Sequence, residues 1–132
     1  MSQENLDIAR QALDALGRRD AETLIALADP DVEWHSVFAI GEGGAYRGQE
    51  GTRRYMRDLA EAWDVGYAEV HDALSIGNTT VLVGRLVYRG KGSGAEGETP
   101  MGWTFEFRRG RVVVFRAFRD PEAALAAVGL RS

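Results

Sequence analysis

Cysteine is absent from this 132-residue chain, which excludes disulfides, thiolate nucleophiles and cysteine-built metal sites. Histidine is scarce. His35 and His71 are the two, far apart and without ligand spacing, so no metal is expected. No apolar run is longer than a few residues, far below the roughly 20 that cross a bilayer, so no membrane association is expected. Met1 to Asn5 lack the basic and apolar regions of a secretory leader, and a cytoplasmic location is the expectation. Positive charge is in deficit as well: 16 Lys and Arg face 20 Asp and Glu, a net −4. That balance speaks against nucleic acid, whose affinity comes from neutralising phosphates.

What is present describes an ordinary folded domain. Hydrophobic residues make up 45% and charged residues 27%, a globular rather than a disordered balance. The length suits one domain spanning 1–132. Leu6, Ala9, Leu13 and Leu16 recur at steps of three and four, predicting a helix over 2–17 that starts at Ser2 and ends at Gly17. Asp20 caps a short second helix carrying Leu24, Ile25 and Leu27, stopped by Asp29-Pro30-Asp31. A strand over Val32 to Val37 places Val32 and Trp34 on one face and Glu33 and His35 on the other. After a glycine-rich loop over 41–48, a third helix over 49–63 carries Tyr55, Leu59 and Trp63 in one stripe.

The second half reads as strands. Tyr67–Ile76 and Thr80–Arg89 flank a Gly77-Asn78 turn, and residues 90–99 form a glycine-rich hairpin loop. Met101, Trp103, Phe105 and Phe107 alternate with Gly102, Thr104 and Glu106. Arg109-Gly110 turns the chain into Arg111–Phe118, and Asp120-Pro121-Glu122 opens a closing helix. Helices gathered on an antiparallel sheet define an α+β domain. Two glycine patterns carry no nucleotide chemistry. Gly92-Ser93-Gly94-Ala95-Glu96-Gly97 fits G-x-G-x-x-G, but Pro100 and a strand follow where a phosphate-binding helix is needed. Gly84 to Gly90-Lys91-Gly92 misses the P-loop spacing and its Ser/Thr. No cofactor is expected.

Several phrases, taken with this order, resemble the SnoaL-like branch of the nuclear transport factor 2-like (ketosteroid isomerase-like) superfamily. They are Asp29-Pro30-Asp31-Val32-Glu33-Trp34, Tyr46-Arg47-Gly48-Gln49-Glu50-Gly51, Gly90-Lys91-Gly92-Ser93-Gly94, Trp103-Thr104-Phe105 with Arg109-Gly110-Arg111-Val112, and Arg119-Asp120-Pro121-Glu122 to Gly129-Leu130. The resemblance implies a cone: a curved antiparallel sheet wrapped around a long helix, with N-terminal helices, a short C-terminal helix and a pocket at the open end. It also implies a range of activities. Members include ketosteroid isomerases, polyketide cyclases, epoxide hydrolases and proteins without catalysis. By alignment, Trp34 and Trp103 stand where isomerases place acids, and Arg116 is nearest to the cyclase aspartate. Arg85 and Asp72 supply two members of the hydrolases' Asp–Arg–Asp cluster.

The expected ligand is therefore a small apolar organic molecule, held by Trp34, Tyr55, Trp63, Arg85, Trp103 and Phe105 between the third helix and the sheet. His35, Arg85 and Asp72 are the candidates for catalysis of proton transfer, cyclisation or hydrolysis. His35 is suited to general-base work, or is an exposed or interface histidine. Arg85, between valines, either reaches the rim or is paired within the pocket. The alternative function is a non-catalytic ligand-binding or dimeric interaction module. A homodimer through the sheet is expected because alternation leaves Val113 and Phe115 on the outer face of Arg111–Phe118, where the closing helix is the other possible cover.

Overall fold

A computed structural model describes residues 2–36, 45–92 and 94–129. Val37, residues 41–44, Ser93 and Leu130, which figure in the expectations above, lie outside the described residues. The order is α1 (Ser2–Arg18), α2 (Ala21–Leu27), β1 (Ala28–His35), β2 (Ala45–Arg47), α3 (Gly48–Ala62), β3 (Trp63–Ile76), β4 (Thr79–Gly90), β5 (Glu96–Arg108), β6 (Arg111–Phe118) and α4 (Pro121–Ala127). The six strands form one curved, unclosed sheet in the order β2-β1-β6-β5-β4-β3. All neighbours are antiparallel except β1 and β6, which run parallel. The curved, predominantly antiparallel sheet is as expected, and its one parallel pair arises because β1 enters from the helices and joins the far side of the meander.

Ala9, Ala12, Leu13 and Leu16 of α1 are buried, with Leu6 packed beside them. Asp20 caps α2 through Thr23 N at 3.1 Å, and Asp120 caps α4 with Pro121 at its first position. The phrase Tyr46 to Gly51 is the joint between β2 and α3. Gly48 takes φ +70°, and a Cβ on Gly51 would lie 3.0 Å from the Tyr46 backbone. Tyr46 then stacks on Tyr55 with centroids 4.9 Å apart. A bulge, the kind of irregularity that bends a strand, lies where β3 slips register between Val70 and Asp72, leaving His71 unpaired in the ladder. Opposite it, a Cβ on Gly84 would come within 1.8 Å of the Glu69 carbonyl oxygen, so only glycine allows the strands this close.

Inward-facing residues of β5 are buried as alternation requires: Met101, Trp103, Phe105 and Phe107 are all at most 5% exposed. The opposite side is buried too, at Gly102 and Thr104; over Gly102 α4 folds back and brings Ala124 close. The turn Arg109-Gly110 has φ +55° and +77°, the hairpin geometry that matches strand twist.

The strand after it breaks the expected alternation. Phe107 pairs with Val112 and Glu106 with Val114, so Val113 is an inserted residue. A bulge of this kind flips every later side chain. Val112 and Phe115 therefore share the inner face, 0% and 1% exposed. Phe115 packs on Trp34 and Phe105 with centroids 5.5 and 5.0 Å away. The expectation that Phe115 faces outward is overturned. Val113 and Val114 remain half-buried.

Candidate functional site

Between the C-terminal end of α1, the inner side of α3 and the concave sheet lies a cavity of about 70 Å³, several times the space one water needs. Helix α1 contributes Leu13, Leu16 and Gly17, followed by Arg19; α3 contributes Tyr55 and Leu59. The sheet supplies an aromatic and aliphatic floor from Leu86, Met101, Trp103 and Phe115. Trp63 and Tyr88 meet edge to face, 5.4 Å apart, and Tyr67, 44% exposed, marks where the cavity opens to the surface.

Of the residues anticipated from sequence, Tyr55, Trp63 and Trp103 are on this wall. Trp34 and Phe105 are not. Both are 0% exposed and stand against Phe115, which is the wall residue. Trp34 is further fixed by its Nε1, which donates to Thr52 Oγ1 at 2.8 Å, while Thr52 donates to the Gly48 carbonyl. Its indole is satisfied, and its place is structural.

Arg85 lies on the other side of the sheet. In β4 the inward set is Leu82, Gly84 and Leu86, so Val81, Val83, Arg85 and Val87 face outward. There Arg85 donates to Glu69 at 2.6 Å and to Glu98, one acid from each neighbouring strand. These partners, first of all the Glu69 hydrogen bond, raise its pKa further. Asp72 is exposed at the β3 bulge and accepts from the Ala73 amide at 2.9 Å. Arg116 is exposed also, so no Asp–Arg–Asp arrangement reaches the cavity among the described residues. His35 is half-buried on the outer face of β1, 3.0 Å from Glu33. That contact is the main cause holding the Glu33 carboxyl below its ordinary range. The three catalytic candidates are thus separated from the cavity by the sheet.

The polar residues on the wall are others. Arg19 follows α1 and takes φ +59°, a conformation that costs a non-glycine residue about 1 kcal/mol. The geometry is a helix-ending motif: Asp20 N donates to the Ala15 carbonyl at 2.9 Å and Arg19 N to Leu16 at 3.2 Å. Its Nη1 donates to the carbonyls of Leu16 and Gly17, each at 3.0 Å, and of Gly66 at 3.1 Å. Its Nε–H is buried and finds no acceptor among the described residues. Desolvation lowers its pKa, with only the nearby Tyr55 opposing. Tyr55, 4% exposed, is hydrogen-bonded to Ser36. Burial pushes its phenol up to about 12, with Ser36 and Arg19 pulling it back. The phenol is therefore a neutral donor at physiological pH.

Arg19 was not foreseen because Gly17 reads as the helix end, whereas α1 continues to Arg18. One signal was available. Arg18 has Asp14 four residues back and pairs with it at 2.8 Å, while Arg19 has Ala15 there. Among the described residues, no carboxylate or imidazole lines the cavity, and no cluster of His, Cys, Asp or Glu could hold a metal. Gly92 and Gly94 lie in the β4–β5 turn, with β5 rather than a helix following.

This curved sheet with helices over its concave side defines a class of small α+β proteins with a pocket-forming fold. The chain belongs to the SnoaL-like domain family, whose model matches residues 9–115. No curated protein sequence matches it. Among solved structures it is similar to an NTF2-like protein of unknown function from Burkholderia pseudomallei K96243, at 19% identity and TM-score 0.78, covering 96% of this chain and 98% of that one. A putative SnoaL-like polyketide cyclase from Jannaschia sp. CCS1 is similar at 18% identity and TM-score 0.76, with 98% and 94% covered. TerC, co-crystallized with polyporic acid, is similar at 18% identity and TM-score 0.76, with 91% and 94% covered. At these identities the likeness establishes the fold. Among the described residues no helix is long and apolar enough to cross a membrane.

Proposed function

We propose that the chain is a single, cytoplasmic small-molecule-binding domain that holds a mostly apolar organic ligand in the cavity between α1, α3 and the sheet. The supporting observation is the composition of the wall. Trp63, Trp103, Leu86, Met101 and Phe115 surround a few polar groups, Arg19, Tyr55 and Ser36 among them, the usual make-up of a small-molecule site. A proton-transfer enzyme needs a base that titrates near neutrality. Among the described residues of the wall, neither the arginine nor a phenol near 12 is one, which supports the non-catalytic reading of the family fold over isomerase, cyclase or hydrolase chemistry.

The test is quenching of Trp63 and Trp103 fluorescence by small aromatic compounds, with mass spectrometry of molecules that co-purify. Saturable quenching that disappears in Leu86→Arg, which fills the cavity, is expected. Absence of saturation, or the same quenching in that variant, overturns the reading.

A homodimer through the outer face of the sheet belongs to the same proposal. Helix α4 covers Gly102, but Val83, Val114 and Phe118 remain half-buried beside it. A partner surface would bury this row. Light scattering should give a mass near twice 14.5 kDa, falling to one copy in Val114→Glu. A mass of one copy in the unmodified protein rules the dimer out.

A further inference from the structure

We propose that Arg19 is the recognition element for an acidic group on the ligand, so that the molecule held in the cavity is a small apolar carboxylate. The inference rests on the cavity being a ligand site. It starts from a count of donors. A guanidinium carries five N–H groups, and here Nη1 alone answers three backbone carbonyls. The edge formed by Nε and Nη2 makes no hydrogen bond among the described residues, and its Nε is buried. No carboxylate is paired with Arg19 among them either.

A desolvated cation without a counter-charge is costly, and this one sits on the wall of the cavity. The free edge is the side-on pair of donors that a carboxylate meets with both oxygens. Gly66 lets the guanidinium sit this close to β3: a Cβ there would lie 3.2 Å from Nη2. Capping the end of α1 accounts for Nη1 and for nothing on the opposite edge. The Tyr55 phenol and Ser36, on the same wall, are neutral and compatible with an anion beside them. The aromatic floor takes the apolar body.

The experiment compares phenylacetate with phenylacetamide, which share a body and differ in charge, by tryptophan fluorescence or calorimetry. The unmodified protein should bind phenylacetate about tenfold to a hundredfold more tightly, the range of a hydrogen bond to a charged group. Arg19→Gln should bring the two to parity, leaving the amide's affinity in place. Arg19→Lys, which keeps a cation to cap the carbonyls and therefore the melting temperature, should lose most of the preference because it lacks the forked edge. Arg85→Gln, on the outer face, should retain it in full. Equal affinities in the unmodified protein, or a preference that survives in both Arg19 variants, overturn the role of Arg19 while leaving the cavity as a ligand site. Failure of both compounds to bind removes the ligand site and this inference together.

Discussion

On the outer face of the sheet, Arg85 lies between Glu69 and Glu98, and Glu33 between His35 and Arg47. Across the sheet, Arg19 donates among the described residues to carbonyl oxygens, with the Tyr55 phenol nearby. The outer charges are half-buried to exposed and mutually compensated, which contributes little to stability but keeps a partly apolar face hydrated. The inner charge is half-buried, with its Nε fully buried, and no acid is paired with it among the described residues. The contrast shows where chemistry is available: a paired ion has its partners already, and an unpaired one has capacity left for a ligand. Arg85, placed between valines in the sequence, belongs to this paired outer face.

The comparison of faces breaks first at β6. If the bulge at Val113 places Phe115 inward, Phe115→Ala should cost roughly 3–5 kcal/mol, as for other buried aromatics. Val113→Ala, at a half-buried inserted residue, should cost less than about 1 kcal/mol. Urea denaturation of the two variants measures the difference. Comparable losses would mean that simple alternation holds and that the two faces of β6 are exchanged.

Much of the fold was legible because it depends on short-range periodicity. The stripe of α1, the face of Trp34 on β1 and the alternation of Met101 to Phe107 all follow from side chains repeating at the helix or strand period. The site was legible only in part. Tyr55 and Trp103 lie on regular stripes and could be read; Trp63, expected on the third helix, is instead the first residue of β3. Trp34 and Phe105 could not be distinguished from wall residues, because periodicity gives a face and not a depth; Phe115 stands in front of both. The bulge at Val113 has no glycine to announce it. Arg19 adopts a left-handed conformation that sequence reading assigns to Gly17, and its cavity is made by elements far apart in the chain: its Nη1 reaches Gly66, 47 residues away. Arg85 was misplaced because a valine-rich run has no polar row to mark its outer side.

The smaller effect sharpens the comparison through pH. On the outer face, His35 holds the Glu33 carboxyl below its ordinary value. The stability it contributes is present above that ordinary value and is lost as pH falls through the lowered one. On the inner face, burial raises the Tyr55 phenol to about 12 from 10.0. Its folded pKa exceeds its unfolded one, so its contribution is complete below pH 10 and is lost as pH rises towards 12. A shift of that size corresponds to on the order of 2–3 kcal/mol. Tyr46, raised to about 12 by burial and then by its hydrogen bond to Asp58, acts in the same direction, so the two phenols must be separated by substitution. Tyr55→Phe keeps the ring against Trp34 and Tyr46 and removes the ionisable group. Between pH 10 and 12 the unmodified protein should lose about 2 kcal/mol more than Tyr55→Phe in urea denaturation, while between pH 5 and 3 the two should decline alike. The same alkaline loss in both proteins would show that the Tyr55 phenol ionises in contact with water and that the inner wall is not desolvated. That result would remove the distinction between the two faces on which the assignment of Arg19 depends.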